Sequence, residues 1–408
     1  MNLMYPKRAF LLALLASLPT AGTAQPAPAG SPPAGAPTSK VSVRPDSATP
    51  ATPSAKRPNT PATECNAFTA PEDRNAAIHY LNLMLAAGDN ISKFGFSDYD
   101  KIGYDRAACE ADPTCVAAQW ALAYLNADGW VAASKLQKCD FELASEEGFG
   151  LILPQLGRMR AAARGLRFAA RDAFIHNNSA DGVAYLCAII RMGNHISGDG
   201  ILISSLVGQA LGALALNETR TAAAAGKITQ TDRDVLLASI ATINPDDPMR
   251  IKAALRSERE TMLNFVKRTY AGPDAGERLA NMPGLFDDET SPRTIVQRKL
   301  LSEMDSTRLA EAVEQARPAY DAYLDLWESP TWKEDFAAVE DRVQLEEFGI
   351  LATILMPSAR HAKASQARLL LDIEEVTSAL NAITTPQTAP IDPVKQLTPK
   401  PAPSTSPK

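Results

Sequence analysis

At 408 residues with a formal net charge of −6, the chain is long enough for one large or two ordinary domains. Of its 30 prolines, 12 fall in 1–63 and 7 in 386–408, which excludes both ends from a packed core. Those ends hold nine Lys or Arg against two acids, so the remainder carries 32 basic against 45 acidic side chains. Its net of −13 repels phosphate backbones and excludes nucleic acid as the main partner.

Lys7 and Arg8 precede an apolar run over 9–18, and Gly22-Thr23-Ala24 then offers small residues for cleavage, the pattern of a secretory signal peptide over 1–24. The run is too short to span a bilayer, so the sequence predicts a soluble mature chain without a transmembrane segment, exported to the periplasm or the extracellular space. Residues 25–63, rich in Pro, Ala, Ser and Thr, cannot bury enough apolar surface to offset their ordering entropy and read as a disordered linker. The stretch 386–408 reads as a second, Pro-rich disordered tail. Between them lies a helical domain over 64–385, with subdivision points near 226–246 or 273–291.

Five cysteines in an exported chain predict disulfides with one thiol left over. Cys109 and Cys115 flank Asp112-Pro113, a break between helices that a short disulfide loop can close, and Cys65 with Cys139 forms the next candidate pair. Cys187, inside the apolar Tyr185-Leu186-Cys187-Ala188-Ile189-Ile190, reads as a buried free thiol with no activating group beside it.

All periodic segments have the helical period. In chain order the helices are predicted over 71–87, 114–126, 129–138, 152–176, 180–195, 201–225, 230–243, 248–270, 292–327, 330–348 and 350–383, the last broken near Pro357. Thr69 with Glu72 and Thr229 with Asp232 fit a capping pattern, and Asp247-Pro248, Ser291-Pro292 and Ser329-Pro330 place a cap before proline. Gly88, Gly226 and Gly272-Pro273 mark helix ends. The fold class expected is all-α: a multi-helix bundle or irregular α-solenoid of about ten helices, neighbours antiparallel.

Within 152–176, Leu156, Met159, Ala163, Leu166, Ala170 and Phe174 form the core arc, while Ala162, Gly165 and Ala169 form a second arc that admits a close neighbour. Arg158 shares that small-residue arc, and Arg160, Arg164, Arg167 and Arg171 make a third. The stretch 201–216 is apolar almost all round and is expected to be the central helix.

Cys139-Asp140-Phe141, Leu153-Pro154-Gln155-Leu156 running into Arg160, and the helix pair through His195 and Leu206-Val207-Gly208 resemble uncharacterised exported helical proteins of planctomycete-type bacteria over roughly the middle third of the chain. The resemblance implies a helical exported fold and no known activity. The stretch 170–193, with Ala173-Phe174 and Ala180-Asp181, is similar to part of a tetratricopeptide unit, but no period of about 34 residues recurs.

His-Glu-x-x-His, Gly-x-Ser-x-Gly, Gly-rich phosphate loops and Cys-x-x-Cys are all absent, so no cofactor is expected. Asp172 and His176 share a helix face but lack a third metal ligand, so a hydrogen-bonded pair is expected and no metal. His195, Ser197 and Asp199 put base, hydroxyl and carboxylate in one loop, where Ser197 or Asp199 is expected to cap the following helix. The arginine stripe is expected to face acids of its own domain or solvent, and Arg158 to pair with Glu218 or Glu258 in the interior.

From 320 to 347, Tyr320, Tyr323, Trp327, Trp332 and Phe336 interleave with Asp321, Asp325, Glu328, Glu334, Asp335 and Glu340. Aromatic platforms beside carboxylates are what a glycan-cleaving cleft needs, with Asp325, Glu328 and Asp335 as its candidate acids. The favoured expectation is a soluble binding or scaffold protein of the periplasm or cell envelope, with an envelope component or protein as partner and Arg158, His195, Glu258, Trp327 and Trp332 as candidate binding residues. The alternative is a periplasmic hydrolase of glycan or peptide.

Overall fold

A computed structural model describes residues 75–93, 103–143, 153–282, 285–286, 290–356 and 359–383. The leader, the linker, the Pro-rich tail, Cys65 and the Thr69–Glu72 cap lie outside the described residues. Within them the chain forms fifteen α-helices, and the one extended contact is an isolated parallel bridge between Asn75 and Lys138. No helix among the described residues is long and apolar enough to cross a membrane.

Helices α1 (Ala76–Ala87), α2 (Arg106–Ala111), α3 (Pro113–Leu125) and α4 (Ala127–Ser134) pack beside three long ones, α5 (Pro154–Ile175), α6 (Ser179–Ile196) and α7 (Leu202–Ala224). The expected core arc of α5 is buried throughout, from Leu156 to Phe174, and so is its small-residue arc. Phe174, near the end of α5, lies against Gly182 near the start of α6, which sets the two antiparallel. Helices α6 and α7 cross at Gly193 and Gly208. A Cβ on Gly208 would stand 2.7 Å from the Gly193 carbonyl oxygen and 2.0 Å from Ser197 Oγ, so only glycine permits this approach. Helix α7 is central as expected, touching α5, α6 and the last helix along its length.

The chain continues through α8 (Gln230–Ile240), α9 (Ile251–Thr269), α10 (Ala275–Ala280), α11 (Pro292–Ser302), α12 (Ser306–Asp325), α13 (Trp332–Gln344), α14 (Gly349–Leu355) and α15 (Ala359–Asn381). Thr229 and Asp232 form the expected capping box of α8. The predicted helix over 292–327 is two helices, because Asp305 accepts a hydrogen bond from Arg308 N at 2.9 Å and starts α12 afresh. The short α2 and α10 were outside the expected set; each has too few turns to show a helical period.

The apolar interior has two parts. One is built by α1–α8, the other by α9–α14, and the change falls between Met249 and Ile251, between the two subdivision points expected from sequence. Two helices serve both parts. Helix α7 gives Leu202 and Leu206 to the second and Val207, Leu211 and Leu216 to the first; α15 gives Ala359 and Ala362 to the second and Leu369, Val376 and Leu380 to the first. At the joint, Met249 and Arg250 both have φ of 54°, a left-handed conformation costing non-glycine residues about 1–2 kcal/mol each. Asp247 offsets that cost by accepting from the backbone N–H of Lys252 at 2.9 Å and Ala253 at 3.0 Å, while Gln366 of α15 donates to it at 3.0 Å. Asp247 thus caps α9 and not the 3-10 turn that Pro248 begins; Ser291 makes no cap hydrogen bond before Pro292, and α13 starts at Trp332 and not at Pro330, so these two expected caps are absent.

Candidate functional site

Helices α1 and α3 touch each other and form an outer face without a single Asp, Glu, Lys or Arg. Asn75 starts α1 by accepting from Ala77 N at 3.1 Å, and also clamps Asp140 through its backbone N–H and carbonyl. Gly88, with φ of 52°, ends it. Ala76, Tyr80, Met84 and Ala87 turn inward, which leaves Ile78, Leu81 and Leu85 outside, with Leu85 75% exposed. Helix α3 begins at Pro113, where Asp112 accepts from Thr114 N and Cys115 N; these hydrogen bonds, that from Cys115 first, hold its carboxyl below the usual range. The Cys109–Cys115 disulfide staples α2 to α3 as expected. Cys115, Ala118, Ala121 and Leu125 face the core, so Trp120, 70% exposed, and Tyr124 face water.

Behind this face the arginine stripe meets an acid of its own domain. Glu218 of α7 is completely buried and accepts from Arg171 Nε at 2.9 Å and Nη2 at 2.6 Å, from Arg167 Nε at 2.8 Å and from the Tyr104 hydroxyl at 2.7 Å. Burial alone would raise its pKa, but the two guanidinium groups outweigh it and hold the carboxyl below its ordinary value. Arg158 joins neither Glu218 nor Glu258. It is half-buried and donates to the Met84 carbonyl at 3.1 Å, because α5 places it at the C-terminal turn of α1, where carbonyls lack intrahelical donors.

His195, Ser197 and Asp199 do not converge. His195 Nδ1 shares a 2.9 Å hydrogen bond with the hydroxyl of Tyr80, whose ring stacks on Trp130, and burial pulls the imidazole down to about 4. Ser197 Oγ donates to Gly193 O at 2.7 Å, and Asp199, pushed up to about 6 by burial, accepts from Ser204 Oγ at 3.3 Å. Neither caps α7, contrary to expectation: Glu258 reaches over from α9 to accept from Leu202 N at 3.3 Å. Burial pushes Glu258 up to about 7, and the buried Tyr320 hydroxyl close to it has no hydrogen-bond partner among the described residues. Arg158, His195 and Glu258 thus each serve a different contact and do not gather on one site.

The 320–347 segment packs its aromatics inward. Phe336 meets Tyr323, Trp327 and Trp332 at ring-centroid distances of 5.0, 5.7 and 5.9 Å. Trp327 is fully buried, donates from Nε1 to Gln366 at 2.9 Å and lies under Lys363 Nζ; Trp332 is half-buried. The acids turn outward to separate tasks. Glu328 binds Lys252 at 2.9 Å, Asp321 binds Arg259, Glu340 lies 3.7 Å from Arg360, and Asp335 accepts from Ser329 and Thr331, while Asp325 and Glu334 are exposed. The lysine's hydrogen bond holds Glu328 below its ordinary pKa, the reverse of what a proton donor needs. The hydrolase alternative therefore draws no geometric support from these acids.

Asp172 and His176 form the expected local pair: His176 Nδ1 lies 2.8 Å from the Asp172 carbonyl, and Gln119 donates to the Asp172 carboxylate at 2.9 Å. No group of three or more metal-ligating side chains gathers among the described residues. Cys187 is buried as expected; Cys139, expected to pair with Cys65, instead has a free thiol, which burial pushes up to about 12 and so keeps protonated. No family model matches the chain, and no curated protein or solved structure matches it. The α1/α3 face was absent from the candidate residues because both helices are largely apolar, with His79, Asn82, Thr114 and Gln119 as their few polar side chains, so no single apolar stripe marks which side is buried.

Proposed function

We propose that the protein is an exported helical binding or scaffold protein of the periplasm or cell envelope, with the uncharged outer face of α1 and α3 as its binding surface. The observation that carries this reading is the exposure of Ile78, Leu81, Leu85, Trp120 and Tyr124 on two touching helices. Grouped apolar side chains of this size mark surfaces that a partner covers. Export rests on the leader pattern over 1–24, and the Cys109–Cys115 disulfide is compatible with an oxidising compartment.

Site-specific photo-crosslinking in cells tests the surface. A photoreactive residue at Leu85 or Trp120 should give discrete protein adducts, and one at the exposed Glu334 should give none. Absence of adducts at both helix positions overturns the reading. Export is tested separately by the N-terminus of the protein released from the periplasm, expected at Gln25; an uncleaved chain confined to the cytosol overturns that part.

A further inference from the structure

We infer that the boundary between α7 and the second part of the interior is an internal hydration site, where ordered water bound as a structural ligand bridges Ser205 and Gln209 of α7 at one end and Glu258 and Tyr320 at the other. The site is independent of the α1/α3 face. Ser205, Gln209 and Tyr320 are each no more than 2% exposed, and Ser205 Oγ, both amide atoms of Gln209 and the Tyr320 hydroxyl have no hydrogen-bond partner among the described residues. Taking a hydroxyl or an amide out of water is costly unless a new partner receives it, so buried polar side chains pair with protein or with ordered water.

Helix register brings these groups to one boundary. Ser205 and Gln209 stand one turn apart on the arc of α7 between Leu206, which packs into the second part, and Gly212, which faces Met249 at the joint and Leu369 of α15. Leu202, three residues before Ser205 on the same side, gives its N–H to Glu258 of α9 at 3.3 Å. Glu258 in turn lies close enough to Tyr320 of α12 for its charge to act on the phenol. Gln366, three residues before Leu369 on α15, is already bonded to Trp327, Lys363 and Asp247.

The unpaired atoms specify the occupant. Turning the Gln209 amide over exchanges its nitrogen and oxygen but leaves both without a partner, so the seam needs a molecule that donates and accepts at once. Water does both, and two to four polar partners are what a buried water requires. A cation would satisfy the oxygens but not the amide nitrogen. Side chains this enclosed admit no larger ligand.

The test is the sign of a stability change. Tyr320→Phe, Ser205→Ala and Gln209→Met each delete hydrogen-bonding atoms and keep most of the volume. In a dry seam an unpaired polar group opposes folding, so each change should leave the folding equilibrium constant unchanged or raise it. With water bridging, each change strands the remaining partners and should lower that constant by about threefold to tenfold in urea unfolding. Ser205→Ala and Gln209→Met combined should cost less than the sum of the two, because both remove the same bridge. A crystal structure of the parent reads the site directly, whether or not a variant folds: solvent density is expected about 2.7–3.2 Å from the Gln209 amide and from the Tyr320 hydroxyl. Variants no less stable than the parent overturn the inference, as do parent crystals in which the seam is dry or Ser205 and Gln209 bond each other directly.

Discussion

The α1/α3 face and the 320–347 segment both space aromatic and large apolar side chains at helical intervals, yet the first turns Trp120 and Tyr124 to water and the second buries Tyr320, Tyr323 and Trp327. The first surrounds its aromatics with alanines and no charge; the second covers them with lysines and acids that pair across helices. Aromatic spacing marks a helix face, and the neighbouring elements decide whether that face is core or surface. The exposed face is recognised by what fails to cover it.

Unfolding experiments can break this contrast. Trp327→Ala should cost about 3–5 kcal/mol in denaturant unfolding, since it opens a cavity and removes one of the hydrogen bonds to Gln366; a loss within about 0.5 kcal/mol would show that the aromatic cluster is not core. Glu258 comes next. Its folded pKa of about 7 lies above its ordinary 4.5, so its contribution is fully present below 4.5 and is lost as pH rises through 7. Glu258→Gln should therefore gain on the parent between pH 5 and 8, by at most about 3 kcal/mol. His195 acts with opposite sign: with a folded pKa near 4 against 6.5, its contribution is present above 6.5 and lost as pH falls through 4. Comparing parent and variant at each pH isolates Glu258 from it, and parallel curves would refute its burial.

Replacing Cys109 and Cys115 by serine should cost about 2 kcal/mol, because the loop they close is short, and should loosen α3 without touching the 320–347 core. Intact mass after alkylation of the purified protein should reveal Cys109 and Cys115 oxidised and Cys139 and Cys187 alkylated; five free thiols would remove the bridge. The smallest effect is expected at the face itself. Trp120→Ala should change monomer stability by no more than about 0.5 kcal/mol, and a loss comparable to that of Trp327→Ala would make Trp120 core and dissolve the comparison.

Much of the architecture was legible in the sequence because its causes are local. The Thr229–Asp232 box, the Asp112-Pro113 break and the Leu156-to-Phe174 arc each act within a few turns of helix, and all three stand where the residues put them. The break at Asp305 was missed because Pro292 to Trp327 keeps a helical pattern across it, and only the cap hydrogen bond to Arg308 shows the restart. Site residues fared differently. Arg167 and Arg171 face an acid of their own domain as expected, whereas Arg158, one turn or more away on the same helix, ends on the carbonyl of Met84.

By itself the sequence determined the helical class, most helix starts and stops, the Cys109–Cys115 staple and the acidity of the core, since propensity, capping and chain proximity act over a few residues. Only the tertiary structure decided that Glu258 caps α7 across 56 residues, that Glu218 gathers two arginines and a tyrosine, and that α15 returns to join both halves of the interior. It also decided which apolar helices stay uncovered. Those outcomes depend on which surfaces meet after the chain has folded back on itself, and no local pattern encodes the absence of a neighbour.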